Sequence, residues 1–298
     1  MRRLTMILRE YLSRTAKKLA DYGAASPEVE AELMACFLLK CSRAELLWRG
    51  GDIVPEAVVA ATELFLDRRR CREPWQYIEG IAPFRNLELT VDRRVLIPRP
   101  ETELLVDWVL PRIPRNGTLL DVGCGSGAIV LSCASERQDI FATGVDISFE
   151  ALEVARINRE KYALENVELL HSDLASAVLE RKFDAVTANL PYVSEEEYAV
   201  LEPEVRNFEP RLALVAGENG LSLIHRLVEV LPLIINPSGV AIFEIGWQQG
   251  KLVRSWFEQL CADCLVHVEI LQDYCGRDRF VAARFSGNEN DAFHPLHG

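Results

Sequence analysis

From Gly117 onward, short β-rich runs alternate with helical runs, and nothing else in the chain limits its fold so strongly. The runs are Thr118–Val122, Phe141–Asp146, Val167–His171, Ala185–Asn189, Val240–Ile245, Leu265–Leu271 and Phe280–Phe285. Strands separated by helical stretches predict a doubly wound, mostly parallel sheet covered on both faces. The last two runs are separated by a turn rather than a helix, so they are expected to pair antiparallel.

The first 80 residues read differently. Apolar positions recur at helical spacing through Leu4, Leu8, Leu12 and Leu19, and again through Val29, Leu33, Phe37 and Leu38. Ser26-Pro27 ahead of Glu28 and Glu30 marks a helix start, with a capping serine, a proline at the first position and acids near the positive end. Pro55-Glu56 repeats the arrangement. This predicts a bundle of four or five helices over 1–80. Phe84 to Ile97 turns to extended residue types, with Asp92-Arg93 as the expected turn of a β-hairpin linker (81–98). The rest of the fold then occupies 99–285, and the Gly-, Asn- and Asp-rich tail at 286–298 is expected to be disordered.

With 298 residues, one large domain or two is the expectation. No stretch approaches the roughly 18 uninterrupted apolar residues of a membrane span. The opening M-R-R-L-T-M-I-L-R-E lacks the apolar core of a signal peptide, so a cytoplasmic, membrane-free protein is expected. Eight cysteines include one lone C-x-x-C at Cys261 and Cys264, and only five histidines exist, two of them in the tail. That spacing supports no zinc site; the cysteines read as small buried residues in a reducing compartment.

Charge is uneven. Residues 1–80 carry 13 Lys+Arg against 12 Asp+Glu, and the remainder carries 20 against 33. An acidic body argues against stable nucleic-acid binding, whose affinity comes mainly from cations on phosphates. The first twenty residues hold six basic side chains and one acid, a solvated face or a contact for an anionic partner.

The strongest local signal is D-V-G-C-G-S-G-A at 121–128, placed between a strand and a helix. Gly123, Gly125 and Gly127 let the backbone turn sharply and approach a ligand closely, with Cys124 and Ser126 between them. Asp146, about twenty residues on at the next strand end, suits ribose hydroxyls. Read alone, the loop fits a dinucleotide as well as an adenosylmethionine site. Two features separate these readings. Asp121 sets a carboxylate before the loop, where it repels a pyrophosphate and favours the cationic amino group of adenosylmethionine. A-N-L-P-Y-V at 188–193 ends the fourth strand, so Asn189 faces the same crevice. Asn189 offers a side-chain carbonyl, Leu190 a backbone carbonyl held extended by Pro191, and Tyr192 a flat face. Together they suit a planar amide or amino group. A sheet of six or seven strands ending in an antiparallel pair also suits a methyltransferase better than a dehydrogenase.

In these residues the chain resembles the glutamine N5-methyltransferases of peptide chain release factors, the HemK/PrmC family. The likeness also includes R-E-P-W-Q-Y-I-E-G at 72–80, V-L-I-P-R-P-E-T-E at 95–103, F-E-P-R-L-A-L at 208–214, G-E-N-G-L at 217–221, F-E-I-G at 243–246 and D-Y-C-G-R-D-R-F at 273–280. It implies an α/β fold: a seven-stranded Rossmann-like class I methyltransferase sheet with an N-terminal helical bundle that contacts the substrate. It implies S-adenosyl-L-methionine held by Gly123 to Gly127, Asp146 and Asn189, and Leu174 against the adenine where many relatives have tryptophan. Asn189, Leu190, Pro191 and Tyr192 are implied to hold the substrate glutamine. The family motif is N-P-P-Y; Leu190 departs from it but keeps the backbone carbonyl that the role needs.

The implied substrate is the glutamine of the Gly-Gly-Gln loop in class-1 release factors, methylated by a monomeric enzyme without a metal. A large-subunit ribosomal protein is the close alternative, and adenine-N6 methylation of DNA a more distant one, opposed by the acidic body. Among other polar residues, Glu101 and Glu103 on the helix after I-P-R-P have two readings: they border the cofactor or the peptide entrance, or Arg99 and Glu101 form an ion pair or cap. Glu202, Glu204 and Glu209 are expected on a solvated rim, His171 in the core, and the five tryptophans as packing residues.

Overall fold

The computed structural model describes residues 6–217 and 220–286; the tail beyond Ser286, residues 1–5, and Glu218 and Asn219 of the G-E-N-G-L run lie outside the described residues. The chain divides into two compact units.

One unit holds the residues up to Gly80 together with Glu202–Phe208. Its helices are α1 (Leu8–Asp21), α2 (Pro27–Leu39), α3 (Arg43–Trp48), α4 (Glu56–Arg70) and α5 (Trp75–Glu79). Leu19, Met34, Leu66 and Trp75 close one apolar cluster, and Leu8, Tyr11, Ala35 and Leu46 close another. Proline opens α2 as its sequence predicts, but Ser26 makes no side-chain cap bond. The cap that does form is at α3, where Ser42 and Glu45 satisfy each other's backbone N–H. Arg69 is buried here with Nε and Nη2 of its guanidinium donating to the two oxygens of Glu30, at 2.8 and 3.1 Å. Arg72 holds Glu204 at 2.6 Å, so Glu204 is an ion-paired residue of this unit rather than a solvated rim acid.

The other unit, Ile81–Leu201 with the chain from Glu209, carries both sheets. Its hairpin is β1 (Ile81–Phe84) against β2 (Leu87–Thr90), with Phe84 paired to Leu87. The turn therefore falls at Arg85-Asn86, earlier than the residue types suggested. Asp92-Arg93-Arg94 forms a separate turn, closed by the Asp92 carboxylate accepting from the Arg94 N–H at 3.0 Å.

After a single turn at Pro100–Thr102 come α6 (Glu103–Val109), β3 (Thr118–Val122), α7 (Ala128–Glu136), β4 (Phe141–Asp146), α8 (Phe149–Lys161), β5 (Val167–His171) and β6 (Phe183–Ala188). There follow α9 (Glu195–Ala199), α10 (Pro203–Phe208, in the helical unit), α11 (Ser222–Ile234), β7 (Ile235–Glu244), α12 (Gly250–Leu260), β8 (Leu265–Gln272) and β9 (Asp278–Phe285). The large sheet has the order β5-β4-β3-β6-β7-β9-β8, parallel except where β9 runs antiparallel to β7 and β8. All seven expected strands are present, and the last two pair as anticipated. Central strands β3 and β6 are buried nearly throughout, the polar Asp121 and Thr187 included. Edge strands β5 and β8 carry Glu168, His171, His267 and Glu269, polar groups that discourage further strand pairing.

From β3 the chain winds outward through β4 to β5, then returns to place β6 on the other side of β3. Connections leave β3 and β6 in opposite directions, which opens a crevice above their carboxyl ends.

Candidate active site

Two loops meet at that switch point: the glycine loop after β3 and the N-L-P-Y run after β6. They line a cleft of about 270 Å³, together with Asp146, Leu174 and the chain from Arg94 to Thr102. Its wall includes Gly123, Cys124, Gly125, Ser126, Asp146, Leu174, Asn189, Leu190 and Pro191. Asp121, Gly127 and Tyr192 lie outside that lining.

The glycines do different work. All three have positive φ, +76° at Gly123, +56° at Gly125 and +87° at Gly127. A Cβ at Gly123 would stand 2.9 Å from Leu190 Cδ2, and one at Gly127 would stand 2.7 Å from Leu131. At Gly125 it would meet nothing within 4 Å. Gly123 and Gly127 are thus packed against neighbours, while Gly125 faces the open cleft. Asp146 fixes the loop from the next strand: one oxygen accepts the Gly125 N–H and the other the Ser148 N–H, both at 2.9 Å. Burial pushes its carboxyl up, and these amides oppose the rise.

Asp121 takes a part that its sequence position did not suggest. It is fully buried, accepts the Thr187 hydroxyl at 2.9 Å, and leaves its second oxygen without a partner. Burial pushes its carboxyl up to about 7. It is tied to Thr187 on β6 and does not line the cleft. Asn158 on α8 is a brace that sequence reading missed. Its amide donates to the Ser126 carbonyl at 2.9 Å and exchanges bonds with both backbone groups of Thr90. A lone asparagine on a helix face carries no signal of such a role.

At the N-L-P-Y run, Leu190 is buried in the sheet core while also lining the cleft. Asn189 donates through Nδ2 to Thr102 Oγ1 at 3.3 Å, and Thr102 Oγ1 donates to Glu244 Oε2 at 2.7 Å. The Tyr192 hydroxyl donates to Glu244 Oε1 at 3.3 Å, so it points to this carboxylate. Glu244 is buried, which pushes its carboxyl up; Thr102, Arg279 and Tyr192 oppose the rise, and Glu101 adds to it. In the I-P-R-P-E-T-E run the acids Glu101 and Glu103 stand out by charge, but the threonine between them is the residue that reaches Asn189.

Other expectations need correction. Arg99 pairs with Glu209 at 2.6 Å, not with Glu101, and Glu209 also accepts the Ile97 N–H. Glu209 is therefore buried, not solvated. His171 is exposed and stacks on Phe149 at 3.7 Å between ring centroids. Trp48 and Trp247 are 90% and 57% exposed, so they are not packing residues. Cys124, Cys133 and Cys261 are buried, whereas Cys71 and Cys275 are exposed.

A parallel sheet with an antiparallel final strand pair, a glycine loop under an acid, and an asparagine-led tetrapeptide on the facing strand define a class I methyltransferase. Comparison agrees: residues 100–207 match the methyltransferase small domain family, and residues 10–80 match the PrmC N-terminal domain. A methyltransferase from Pyrococcus furiosus superposes on 68% of this chain and 90% of its own with a TM-score of 0.50 at 19% identity, a likeness of fold. The release factor glutamine methyltransferase of Salmonella typhimurium is 34% identical over 94% of this chain and its own full length. That of Bacillus anthracis is 38% identical over 86% of this chain and 92% of its own. The chain belongs to the release factor glutamine methyltransferase family. Among the described residues, no helix is long and apolar enough to cross a membrane.

Proposed function

We propose that this enzyme transfers a methyl group from S-adenosyl-L-methionine to the side-chain nitrogen of the glutamine in the Gly-Gly-Gln loop of class-1 release factors. The observation that carries the reading is the placement of Asn189 and Leu190 on the same cleft as Gly125 and Asp146.

The donor fits the residues present. The space before Gly125, which a Cβ would enter without touching protein, accommodates close approach to the loop. Asp146 retains free lone pairs for hydroxyl donors, and Leu174, Ile147 and Ala151 give an apolar wall for a flat base. When bound, adenosylmethionine supplies an electrophilic methyl on a sulfonium.

A carboxamide nitrogen is a poor nucleophile because its lone pair is delocalised. This chain contributes position and charge stabilisation. Asn189 Oδ1 and the Leu190 carbonyl accept the two N–H groups of the glutamine and fix its amide plane. As the nitrogen lone pair forms the new N–C bond and the C–S electrons return to sulfur, positive charge grows on nitrogen. The two acceptors favour that charge more than they favour the neutral amide. Holding the reacting atoms near 3–3.5 Å in line supplies the remaining advantage. The surplus proton then leaves to water.

The test is mass spectrometry of a purified class-1 release factor after incubation with the enzyme and donor. The loop peptide should gain the mass of one methyl, and a release factor with Gln→Ala in that loop should gain none. Modification at any other residue, or none on the native factor, would overturn the proposal.

A further inference from the structure

The grip on a carboxamide works only if Asn189 presents its oxygen to the cleft, and nothing within N-L-P-Y enforces that. The two ends of an asparagine amide are nearly identical in shape, so the choice must come from the group that holds the far end. That group is Thr102. Its hydroxyl has one proton and can donate only once. At 2.7 Å from Glu244 Oε2, the Thr102 proton is committed to Glu244. Toward Asn189, 3.3 Å away, Thr102 therefore offers only a lone pair. The amino end of Asn189 satisfies it, and the carbonyl end is left to the cleft. Glu244 is itself held by the Tyr192 hydroxyl at its other oxygen and sits at the buried end of β7. Donation thus converges on Glu244, from Tyr192 on one side and from Asn189 through Thr102 on the other.

We infer that Thr102 and Glu244 are positioning residues that set which end of the Asn189 amide faces the substrate, and that they thereby select a primary carboxamide over an isosteric carboxylate. A flipped Asn189 would point its N–H donors at the substrate's own N–H donors and would instead favour the glutamate analogue. The inference rests on the reading of this cleft as a carboxamide cradle.

Thr102→Val, which keeps the shape and removes the hydroxyl, tests it, with intact release factor and adenosylmethionine as substrates. Turnover should fall about 10- to 100-fold, the range seen when a supporting hydrogen bond to a functional side chain is lost. Donor affinity and the KM for release factor should stay within about twofold, because the loss falls on the charge developing in the transition state rather than on the binding of either substrate. Thr102→Ser, which restores the hydroxyl, should recover most of the turnover. In an Asn189→Ala background, Thr102→Val should cost nothing further, since its effect runs through Asn189. A structural role would instead lower both backgrounds alike. If Thr102→Val does not fold, Thr102→Ala carries the same comparison. A wild-type enzyme that methylates the factor while Thr102→Val does so equally well overturns this inference alone. A wild-type enzyme that leaves the glutamine unmodified overturns the reading beneath it, and this inference with it.

Discussion

Gly123 and Gly125 share a left-handed backbone and differ in what a side chain would meet, so the same substitution should have different consequences. Gly123→Ala forces a methyl to within 2.9 Å of Leu190 at φ +76°, and should lower stability by about 2 kcal/mol or more in a denaturant titration. Gly125→Ala bears only the backbone strain of about 1–2 kcal/mol. Its methyl enters the open cleft, so the main expected loss is donor affinity measured by calorimetry. Asp121 gives a pH signature. Its folded carboxyl titrates at about 7 against an ordinary 3.8. On raising pH the unfolded chain releases this proton first, so the stability tied to the neutral form is complete below 3.8, declines up to about 7 and is flat above. Asp121→Asn should remove that decline, seen as a variant whose melting temperature gains on the native protein between those limits. The glycine loop, Asp146 and Asn189 were legible because their residue types follow from what a ligand crevice requires. Thr102, Glu244 and Asn158 were not, because their partners lie 87, 142 and 68 positions apart in sequence and only the fold unites them.

The strands were the most legible elements. The β-rich runs of β3, β4 and β5 stand in the sequence with their observed limits, Asn116-Gly117 ahead of β3 and Glu165-Asn166 ahead of β5 marking the turns that bound them. The hairpin was misread because its turn is made by tertiary contacts. Arg85 adopts φ +51°, a region that a long side chain seldom occupies. It is held there by Glu136 at 2.5 and 2.9 Å, by Asp107 at 2.6 Å, and by its own N–H on Glu103. Arg85→Met should therefore loosen the hairpin against α6 and α7. Arg85 and Glu136 are only 15% and 20% exposed, so the expected loss is about 2 kcal/mol, more than a surface pair gives. Hydrogen exchange should show faster opening of 81–90, and unchanged exchange there would contradict this role for Arg85.

Charge is distributed over the whole molecule in a way that bears on its substrate. The residues beyond position 80 carry 33 acids against 20 Lys+Arg. Such a surface repels a phosphate backbone, so duplex DNA incubated with labelled donor should take up no methyl at any salt concentration. The proposed acceptor is a protein side chain delivered to the cleft, and the feature that the proposal turns on is the grip of Asn189 on its amide. Single-turnover methylation of release factor by Asn189→Ala, with donor saturating, isolates that grip from binding. The expected result is a rate about 100-fold or more below the native enzyme, with donor affinity unchanged, as for loss of one charge-stabilising hydrogen bond in a transition state. A near-native rate at equal donor occupancy would contradict it, and the carboxamide would have to be held by other groups.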